Sequence, residues 1–206
     1  MHEKRKLYIS GNNSFWVCKR IFDILISFLF LPILTLFIIV ITLLNLFFNK
    51  GSVLFIQKRM GKDCKPFNAI KFRTMINIDT ISRKYTDPLE LERITTLGKV
   101  LRKLRIDELP QIINVIKGDM SLIGPRPDFY DHAIIFLECI PDYKNRHAIR
   151  PGISGLSQIR LGYAEGLLAT KKKSRIDIFY IENVNFNLEL KIFFGTIGTI
   201  VRGIGN

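Results

Sequence analysis

Residues 104–127 read LRIDELPQIINVIKGDMSLIGPRP and carry the strongest local signals in the chain. Four apolar residues inside this stretch recur at helical spacing: Leu109, Ile112, Ile113 and Ile116. We therefore expect a helix here, capped by Asp107, with Pro110 in its first turn and Gly118 at its end. The stretch places two adjacent carboxylates, Asp107 and Glu108, at a helix start, and a stiff Gly-Pro-Arg-Pro loop beyond the helix end.

Upstream lies a long apolar segment, residues 21–48, in which Asp23 is the only charge. As a straight helix it would span roughly 42 Å, more than the about 30 Å of a bilayer's hydrocarbon core. Pro32 in its interior removes a helix hydrogen bond and favours a kink. The cations that flank it are Lys4, Arg5, Lys6, Lys19 and Arg20 on one side and Lys50, Lys58, Arg59, Lys62, Lys65, Lys71 and Arg73 on the other.

Basic flanks favour the cytoplasmic side of a membrane, and here both flanks are basic. Two arrangements of the segment therefore stay open from the pattern alone. In one, the helix enters the membrane, bends at Pro32 and returns to the same face. In the other, it is a single tilted transmembrane anchor.

The composition favours an anionic partner. The 206 residues include 31 Lys and Arg against 18 Asp and Glu, a formal net charge of +13, which suits nucleic acid, acidic lipid or a phosphorylated substrate. A hydrophobic content of 48% argues against a disordered basic tail. The three scattered cysteines form no CxxC pair, so they indicate neither a zinc site nor a disulfide framework and fit a reducing cytosolic setting.

Other segments have weaker signals. We expect a short strand at 53–56, a turn at 61–63, a weakly alternating segment at 67–75 and a polar loop at 76–92. Residues 133–140 and 186–204 are two further apolar segments. Leu97, Val100, Leu101 and Leu104 mark an amphipathic helix whose other positions are basic. Such a helix can lie in the lipid headgroup layer or pack as a solvated helix on a core, and periodicity does not separate these alternatives.

The carboxylate pair has two readings. Carboxylates at a helix start most often cap free amides and complement the helix dipole. Alternatively, one carboxylate of the pair can attack a phosphoryl centre and form an acyl phosphate, while the second, beside it, holds Mg²⁺.

Several basic residues are candidates for binding phosphate. Arg126, rigidly presented between two prolines, suits bidentate phosphate binding, although such a loop can also be an ordinary surface turn. Lys71 and Arg73 would share one face of a strand, where they either bind pyrophosphate or decorate a basic surface. The glycine-punctuated loop from Arg150 to Gln158 fits a ligand loop or a connection between core elements equally well.

Some catalytic classes lack their signatures. The sequence contains no Walker loop, GxGxxG, HExxH or GxSxG motif. No two aspartates are separated by a single residue, so the DxD metal motif common in nucleotide-sugar glycosyltransferases is missing. The three histidines show no metal-ligand spacing.

Taken together, the ordered motifs resemble the bacterial sugar transferases, also called polyprenyl-phosphate hexose-1-phosphate transferases or small monotopic phosphoglycosyl transferases. The segments that carry the resemblance are KRIFD at 19–23, GSVLFIQKRMG at 51–61, KFRTM at 71–75, LRIDELPQ at 104–111, KGDMS at 117–121, GPRP at 124–127 and RPGI at 150–153. They cover nearly the whole chain, and their number and order make the resemblance specific.

The resemblance implies transfer of a sugar-1-phosphate from a UDP-sugar to a polyprenyl phosphate, usually undecaprenyl phosphate, with release of UMP and a requirement for Mg²⁺. Asp107 matches the family's nucleophile, which forms a covalent sugar-phosphate intermediate, and Glu108 matches its partner in metal or proton handling. Arg126 matches a phosphate-binding arginine. Further positions that match the surroundings of the active site, with less definite roles, are Arg102, Lys71, Arg73, Asp119, Arg150 and Gln158.

The fold class expected from these arguments is a helix-rich α/β protein. Residues 1–50 would form the re-entrant membrane helix that the family implies, and residues 51–206 a small cytoplasmic catalytic domain with amphipathic interfacial helices. The expected location is the cytoplasmic face of the bacterial inner membrane, in contact with anionic lipid and without nucleic acid. Oligomeric state, sugar and glycan pathway stay open, and sugar specificity is expected within 76–92 or 163–175.

Three departures from the family pattern stand out. Leu31 precedes Pro32 where small members often have Ser, whose hydroxyl can satisfy a carbonyl freed at a kink. Ser154 and Ser157 replace the more usual Thr and Ala. The carboxylate pair and the Gly-Pro-Arg-Pro loop are intact.

Two alternatives to this enzyme remain. A basic membrane-anchored adaptor would account for the charge and the apolar segment, but not for the carboxylate pair or the Gly-Pro-Arg-Pro loop. A conventional glycosyltransferase would move only the sugar and release UDP rather than UMP.

Overall fold

The computed structural model describes residues 7–49, 51–76, 87, 90–162 and 166–202. It is a helix-rich α/β structure, as expected. Its elements in chain order are α1 (Asn13–Phe48), β1 (Leu54–Met60), β2 (Pro66–Phe72), α2 (Thr96–Lys103), α3 (Gln111–Lys117), β3 (Ser121–Ile123), α4 (Tyr130–Cys139), β4 (Gly152–Ser154), α5 (Leu156–Leu161), α6 (Gly166–Asn183) and α7 (Phe186–Val201).

The first two strands form an antiparallel hairpin that confirms the expected strand and turn. Leu54 pairs with Phe72 and Met60 with Pro66, and a short 3₁₀ turn at Lys62–Cys64 joins the strands. The side chain of Asn114 in α3 ties this hairpin down. Its Oδ1 accepts from the Ile70 amide at 3.0 Å, and its Nδ2 donates to the Asn68 carbonyl at 2.7 Å. The hairpin and α3 therefore form one unit.

The other two strands are short and parallel. Ser121 of β3 lies opposite Gly152 of β4, and Ile123 lies opposite Ser154. The pairing continues into the following loop, where the Gly124 amide donates to the Ser154 carbonyl at 2.8 Å and the Gly152 amide to the Pro125 carbonyl at 3.0 Å. This pairing aligns the Gly-Pro-Arg-Pro loop with the Arg-Pro-Gly loop.

Helix α2 confirms the expected amphipathic helix and divides its apolar residues between two surroundings. Thr95 caps it by accepting from the Gly98 amide. Leu101 is buried in a core cluster and Leu97 packs against it, whereas Val100 and Leu104 are about half exposed. The core-packing alternative therefore holds for one side of the helix, and the other side stays free of the protein body.

Helix α3 forms where the spacing predicts it, but its expected cap is wrong. Gly118 ends the helix in the left-handed conformation at φ 94°, as expected. Pro110, rather than Asp107, stands at the N-cap position, and no side chain caps the helix. The physical reason is that Ile106–Glu108 forms a separate 3₁₀ turn, which buries Asp107 one turn before α3 begins.

Two regions in which we expect sugar specificity lie partly outside the described residues. Residues 77–86, 88–89 and 163–165 are not described. Within the described residues, Leu91–Arg93 forms a 3₁₀ turn, and 166–175 begin α6. The expected helix at 186–204 is observed as α7, while 203–206 are not described.

Helix α1 is the one helix within the described ranges that is long and apolar enough to cross a membrane. Pro32 lies inside this helix of 36 residues. Its buried residues follow a narrow face, and most of its large apolar side chains are exposed. The buried set is Asp23, Ser27, Leu34, Ile41 and Asn45.

The part of α1 before Pro32 is attached to the protein body by polar contacts. The carboxylate of Asp23 accepts from the Ser121 hydroxyl at 2.7 Å and from the Leu122 amide at 3.2 Å. Arg20 donates to the carbonyl of Val115 at 2.8 Å, near the end of α3. Lys19 pairs with Glu189 of α7 at 2.5 Å. Two of the five cations at this flank, Lys19 and Arg20, are therefore paired within the protein.

The part of α1 after Pro32 contacts the same body. Leu34 and Ile41 belong to a buried cluster with Phe72, Leu101 and Ile112, which come from β2, α2 and α3. Beyond the helix end, Asn49 Nδ2 donates to the Arg73 carbonyl at 3.1 Å. Both halves of α1 thus lie against one folded unit, on either side of Pro32.

We expect His147 to make this protein less stable in acid. Burial, with repulsion from Arg146, lowers the pKa of His147 from 6.5 to about 3; Lys173 adds to this effect, while Asp128 and a hydrogen bond to the Gly61 backbone oppose it. Between these two pH values the unfolded chain holds a proton on His147 and the folded protein does not. The free energy of unfolding therefore falls as the pH drops from about 6.5 to about 3.

Denaturant unfolding of the detergent-solubilised protein at a series of pH values measures this dependence. His147→Gln, which cannot titrate, should show a shallower acid loss than the parent protein. Parallel pH curves for the two proteins would contradict the assignment.

Candidate active site

The carboxylate pair lies in the 3₁₀ turn Ile106–Glu108 between α2 and α3. Arg105 enters this turn in the left-handed conformation, at φ 58°. The turn buries both carboxylates, which leaves Asp107 8% and Glu108 6% exposed. Adjacent buried acids need cations or hydrogen-bond donors, so the residues around them define the site.

Three cationic side chains surround the carboxylate of Glu108. Arg126 forms a two-pronged contact with it, Nη1 donating to Oε2 at 2.8 Å and Nη2 to Oε1. Lys71 Nζ donates to Oε1 at 3.2 Å, and Arg105 Nη1 lies 3.9 Å from the same oxygen. Three elements therefore converge on one carboxylate: strand β2, the turn before α3 and the Gly-Pro-Arg-Pro loop.

Asp107 differs from Glu108 in its hydrogen bonding, because its Oδ1 is buried without a hydrogen-bond partner. A desolvated carboxylate oxygen with no donor is a costly arrangement, which proteins keep mainly at functional sites. It is also free to bond to an electrophile or a metal ion.

The electrostatics separate the two acids. Burial would raise the pKa of Glu108, but Arg126 and Lys71 outweigh it, so the pKa lies well below its ordinary value and Glu108 stays ionised. For Asp107, burial and the Glu108 charge raise the pKa against the opposing influence of Lys71, Arg126 and Arg102. Glu108 thus acts as the fixed charge of the site, while Asp107 is the more basic carboxylate.

Lys71 and Arg102 come from separate elements, and the positive charge of each lowers the pKa of Asp107. Burial lowers the pKa of Lys71 to about 8, although Glu108 opposes this shift. Arg102 of α2 donates from Nε to the Thr74 hydroxyl at 2.9 Å. Gly98 makes this approach possible, since a Cβ there would lie 2.1 Å from the Thr74 carbonyl oxygen.

Two residues that sequence reasoning missed line a small recess beside Lys71 and Arg126. They are Arg59, which donates to the Pro127 carbonyl at 3.1 Å, and the buried Gln111. Arg59 lies within the segment that carries the resemblance, but only the strand register turns it towards this loop.

The remaining candidates have contacts elsewhere. Arg73 follows β2 and donates to the Ser52 carbonyl at 2.6 Å and to the Asn49 carbonyl, so it holds the end of α1. Asp119 accepts from Asn114 Nδ2 at 3.2 Å, and Arg150 donates to the Gly118 carbonyl at 2.8 Å, both near the C-terminal end of α3. Gln158 lies in α5 with its Oε1 buried and unbonded. None of their described contacts reaches the carboxylate pair.

The site suits a magnesium ion only in one binding mode. Within the described ranges, no group of three or more His, Cys, Asp or Glu side chains could hold a metal. In phosphate sites, however, Mg²⁺ commonly takes one or two carboxylates and completes its shell with phosphate oxygens and water. The unbonded oxygen of Asp107 fits that mode, and Glu108 lies beside it in the same turn.

Comparison with known proteins gives one consistent result. A family model described as bacterial sugar transferase matches residues 14–203. A UDP-N-acetylgalactosamine-undecaprenyl-phosphate N-acetylgalactosaminephosphotransferase from Aeromonas hydrophila is 39% identical over 100% of this chain. The exopolysaccharide production protein PSS of Rhizobium leguminosarum bv. phaseoli is 38% identical over 92% of the chain. A UDP-glucose:undecaprenyl-phosphate glucose-1-phosphate transferase from Klebsiella pneumoniae is 37% identical over 88%.

These relatives differ in length. The chain spans about half of the Aeromonas protein, at 48%, and 39% of the Klebsiella protein. It spans 98% of the Rhizobium protein. The similarity therefore covers a unit that occurs both within longer relatives and in relatives of about this size.

We expect Glu108→Gln to destabilise the protein by about 2 kcal/mol, because it leaves Arg126, Lys71 and Arg105 without their shared counter-charge. Denaturant unfolding at constant pH measures the change. Glu138→Gln, a matched substitution at an exposed position of α4, should change the free energy of unfolding by less than about 0.5 kcal/mol. A stabilised Glu108→Gln protein would contradict this expectation, because it would mean that the desolvation cost of the buried Glu108 charge exceeds its attraction to the three cations.

Proposed function

Because the chain belongs to the bacterial sugar transferase family, we propose that it transfers a sugar-1-phosphate from a UDP-sugar to undecaprenyl phosphate and releases UMP. The observation that carries this proposal is the buried Asp107 oxygen without a partner, next to the cations that surround Glu108. The names of the Aeromonas and Klebsiella relatives, which state a UDP-sugar donor and undecaprenyl phosphate as acceptor, support it.

In the first step, a carboxylate oxygen of Asp107 attacks the β-phosphorus of the UDP-sugar. A bond forms between Asp107 and this phosphorus, and the bond from the phosphorus to the oxygen that bridges the two phosphates breaks. UMP departs with that oxygen and its electron pair. Arg126 and Lys71 lie where they can balance the negative charge on the phosphoryl oxygens.

In the second step, a phosphate oxygen of the polyprenyl phosphate attacks the same phosphorus. The bond to Asp107 breaks, the carboxylate is restored, and the sugar is left on a polyprenyl diphosphate. One anion-binding cluster thus serves both substrates in turn. Glu108 stays ionised throughout and keeps the guanidinium of Arg126 oriented.

Asp107 and Glu108 would hold the Mg²⁺ that the family resemblance implies. When bound, this ion neutralises phosphate charge and assists departure of UMP. The recess lined by Arg59 and Gln111 lies beside this position and offers further donors to an anionic substrate.

We propose that α1 is re-entrant and does not cross the bilayer. A crossing helix carries its ends to opposite water phases, about 30 Å apart, and a body on one side cannot contact both. Contacts before Pro32, through Asp23 and Arg20, and after it, through Ile41 and Asn49, favour one face for both ends. The carbonyl of Phe28 has no amide partner at Pro32, which favours a bend there.

The proposed location is the cytoplasmic face of the bacterial inner membrane. The outward apolar residues of α1 would lie in the hydrocarbon. The exposed Val100 and Leu104 of α2, next to Lys99 and Lys103, suit the headgroup layer and anionic lipid. We place the reaction as the first membrane step of a surface glycan or glycoprotein pathway.

We expect Asp107→Asn to abolish UMP release from UDP-sugars in the presence of undecaprenyl phosphate, because an amide is a poor nucleophile. Asp131→Asn, the same substitution at an exposed position in the first turn of α4, should retain activity. Both variants should still sediment with membranes. Substantial UMP release by Asp107→Asn would exclude it as the nucleophile, and UDP release by the parent protein would indicate a conventional glycosyltransferase.

A non-enzymatic adaptor would release neither nucleotide. It should instead show salt-sensitive binding to acidic lipid or nucleic acid. A screen of UDP-sugars with the purified protein separates this possibility from the enzyme.

Native cysteines provide a test of the topology. Cys18 lies exposed near the start of α1, and Cys139 lies exposed at the end of α4. In proteins that retain one of these cysteines, we expect neither to react with an impermeant maleimide on intact spheroplasts and both to react after lysis. Labelling of Cys18 alone on intact spheroplasts would show that α1 spans the membrane.

A further inference from the structure

A buried ionic cluster lies behind the Gly-Pro-Arg-Pro loop. Arg146 and Asp177 are each 1% exposed, and the guanidinium donates to Asp177 Oδ2 from Nε at 3.0 Å and from Nη2 at 2.7 Å. Asp128 completes the cluster. Its carboxylate accepts from Arg146, from the Tyr143 hydroxyl at 2.6 Å and from Lys173 at 2.5 Å.

This cluster contacts the loop at the arginine itself. Arg146 Nη2 donates to the main-chain carbonyl of Arg126 at 2.8 Å. Two residues further on, the carbonyl of Asp128 accepts from the Met60 amide at 3.1 Å, which joins the same region to β1. The buried guanidinium therefore binds the backbone of a residue whose side chain binds Glu108.

The sequence of the loop explains why such a contact is needed. Pro125 and Pro127 have no N–H, so these two residues of the loop cannot be held through their own amides. Beyond the amide of Gly124, the loop is held by the carbonyls of its last three residues. Pro125 accepts from Gly152, Pro127 from Arg59, and Arg126 from Arg146.

Stability alone is a weak reason to keep this cluster. Burying ions costs desolvation energy, and well-packed apolar replacements of buried ion pairs are often as stable or more stable. Burial of a side chain at position 146 does not by itself require an arginine. The contacts do, because one planar guanidinium with several N–H donors reaches Asp177, Asp128 and the Arg126 carbonyl at the same time.

We propose that Arg146, oriented by Asp177, is a positioning residue that aims the Arg126 side chain at Glu108 and at the substrate phosphate. The role of Arg126 in catalysis rests on the proposed function. The placement of the loop by Arg146 does not rest on the proposed function. The positioning role and the proposed function can therefore be tested, and can fail, independently.

The kinetic test uses Arg146→Lys, which keeps the positive charge and removes the planar guanidinium with its several N–H donors. UMP release should fall about 10²-fold in kcat/KM, mainly through kcat, because a displacement of about 1 Å at a reacting group can cost that much. Asp177→Asn, which preserves the shape of the side chain, should give a smaller loss in the same direction. If Arg146→Lys does not fold, the kinetics of Asp177→Asn provide the test in its place.

Tyr180→Phe is the matched control for a change in a buried polar contact. Tyr180 is 1% exposed and lies one turn after Asp177 in α6, but its hydroxyl donates to Glu189 and not to the Arg146 cluster. We expect its thermal midpoint to fall while its kcat is retained. An equal loss of kcat in this control would overturn the positioning role.

A double-mutant cycle separates positioning from general weakening. In an Arg126→Lys background, the addition of Asp177→Asn or Arg146→Lys should reduce kcat/KM by less than about 3-fold, since Arg126 is no longer there to aim. The same fold loss in both backgrounds would overturn the proposal.

Amide hydrogen exchange provides a test that needs no activity. Exchange at the amides of Gly152 and Met60, which donate to the carbonyls of Pro125 and Asp128, should accelerate in Arg146→Lys and remain at the parent rate in Tyr180→Phe. Unchanged exchange at these two amides would overturn the positioning role. If the parent protein releases no UMP but the exchange result holds, the proposed function fails and the positioning of the loop stands.

Discussion

The two-pronged contact between Glu108 and Arg126 is the interaction on which the site depends. It joins the turn before α3 to the Gly-Pro-Arg-Pro loop, and Lys71 adds the hairpin. The cost of burying Glu108 is offset only when all three elements are in place. The same arrangement leaves Asp107 Oδ1 buried without a hydrogen-bond partner, which is the chemical asymmetry that the proposed roles of Asp107 and Glu108 require.

The attachment of α1 is the second constraint. A long apolar helix that touches the folded body on both sides of Pro32 brings its exposed apolar side chains and the carboxylate pair into a fixed relation. In the proposed reaction, a polyprenyl phosphate in the bilayer would then meet Asp107 at a defined depth, and proximity would favour the transfer. Polar residues such as Asp23 and Arg20 make this relation specific, because they pair only with particular groups of β3 and α3.

Local rules predicted the elements near the site well. Alternation and turn residues marked the hairpin, and helical spacing marked α2 and α3, because these signals depend on residues a few positions apart. Gly118 was correctly placed as a helix end for the same reason. The capping role of Asp107 was predicted wrongly, since the entry of Arg105 into a left-handed conformation creates an extra turn that spacing does not reveal.

The sequence by itself determined the family, through the order of its motifs, and with it the carboxylate pair and Arg126. It also determined the apolar length of α1 and the positive charge, which need only composition. Tertiary structure decided which cations surround Glu108, why Arg73 holds the end of α1 instead, and that Arg59, Gln111 and Arg146 lie around the Gly-Pro-Arg-Pro loop. The physical reason is that these contacts join residues far apart in the chain, where direction is set by strand register and helix packing and no local pattern encodes it.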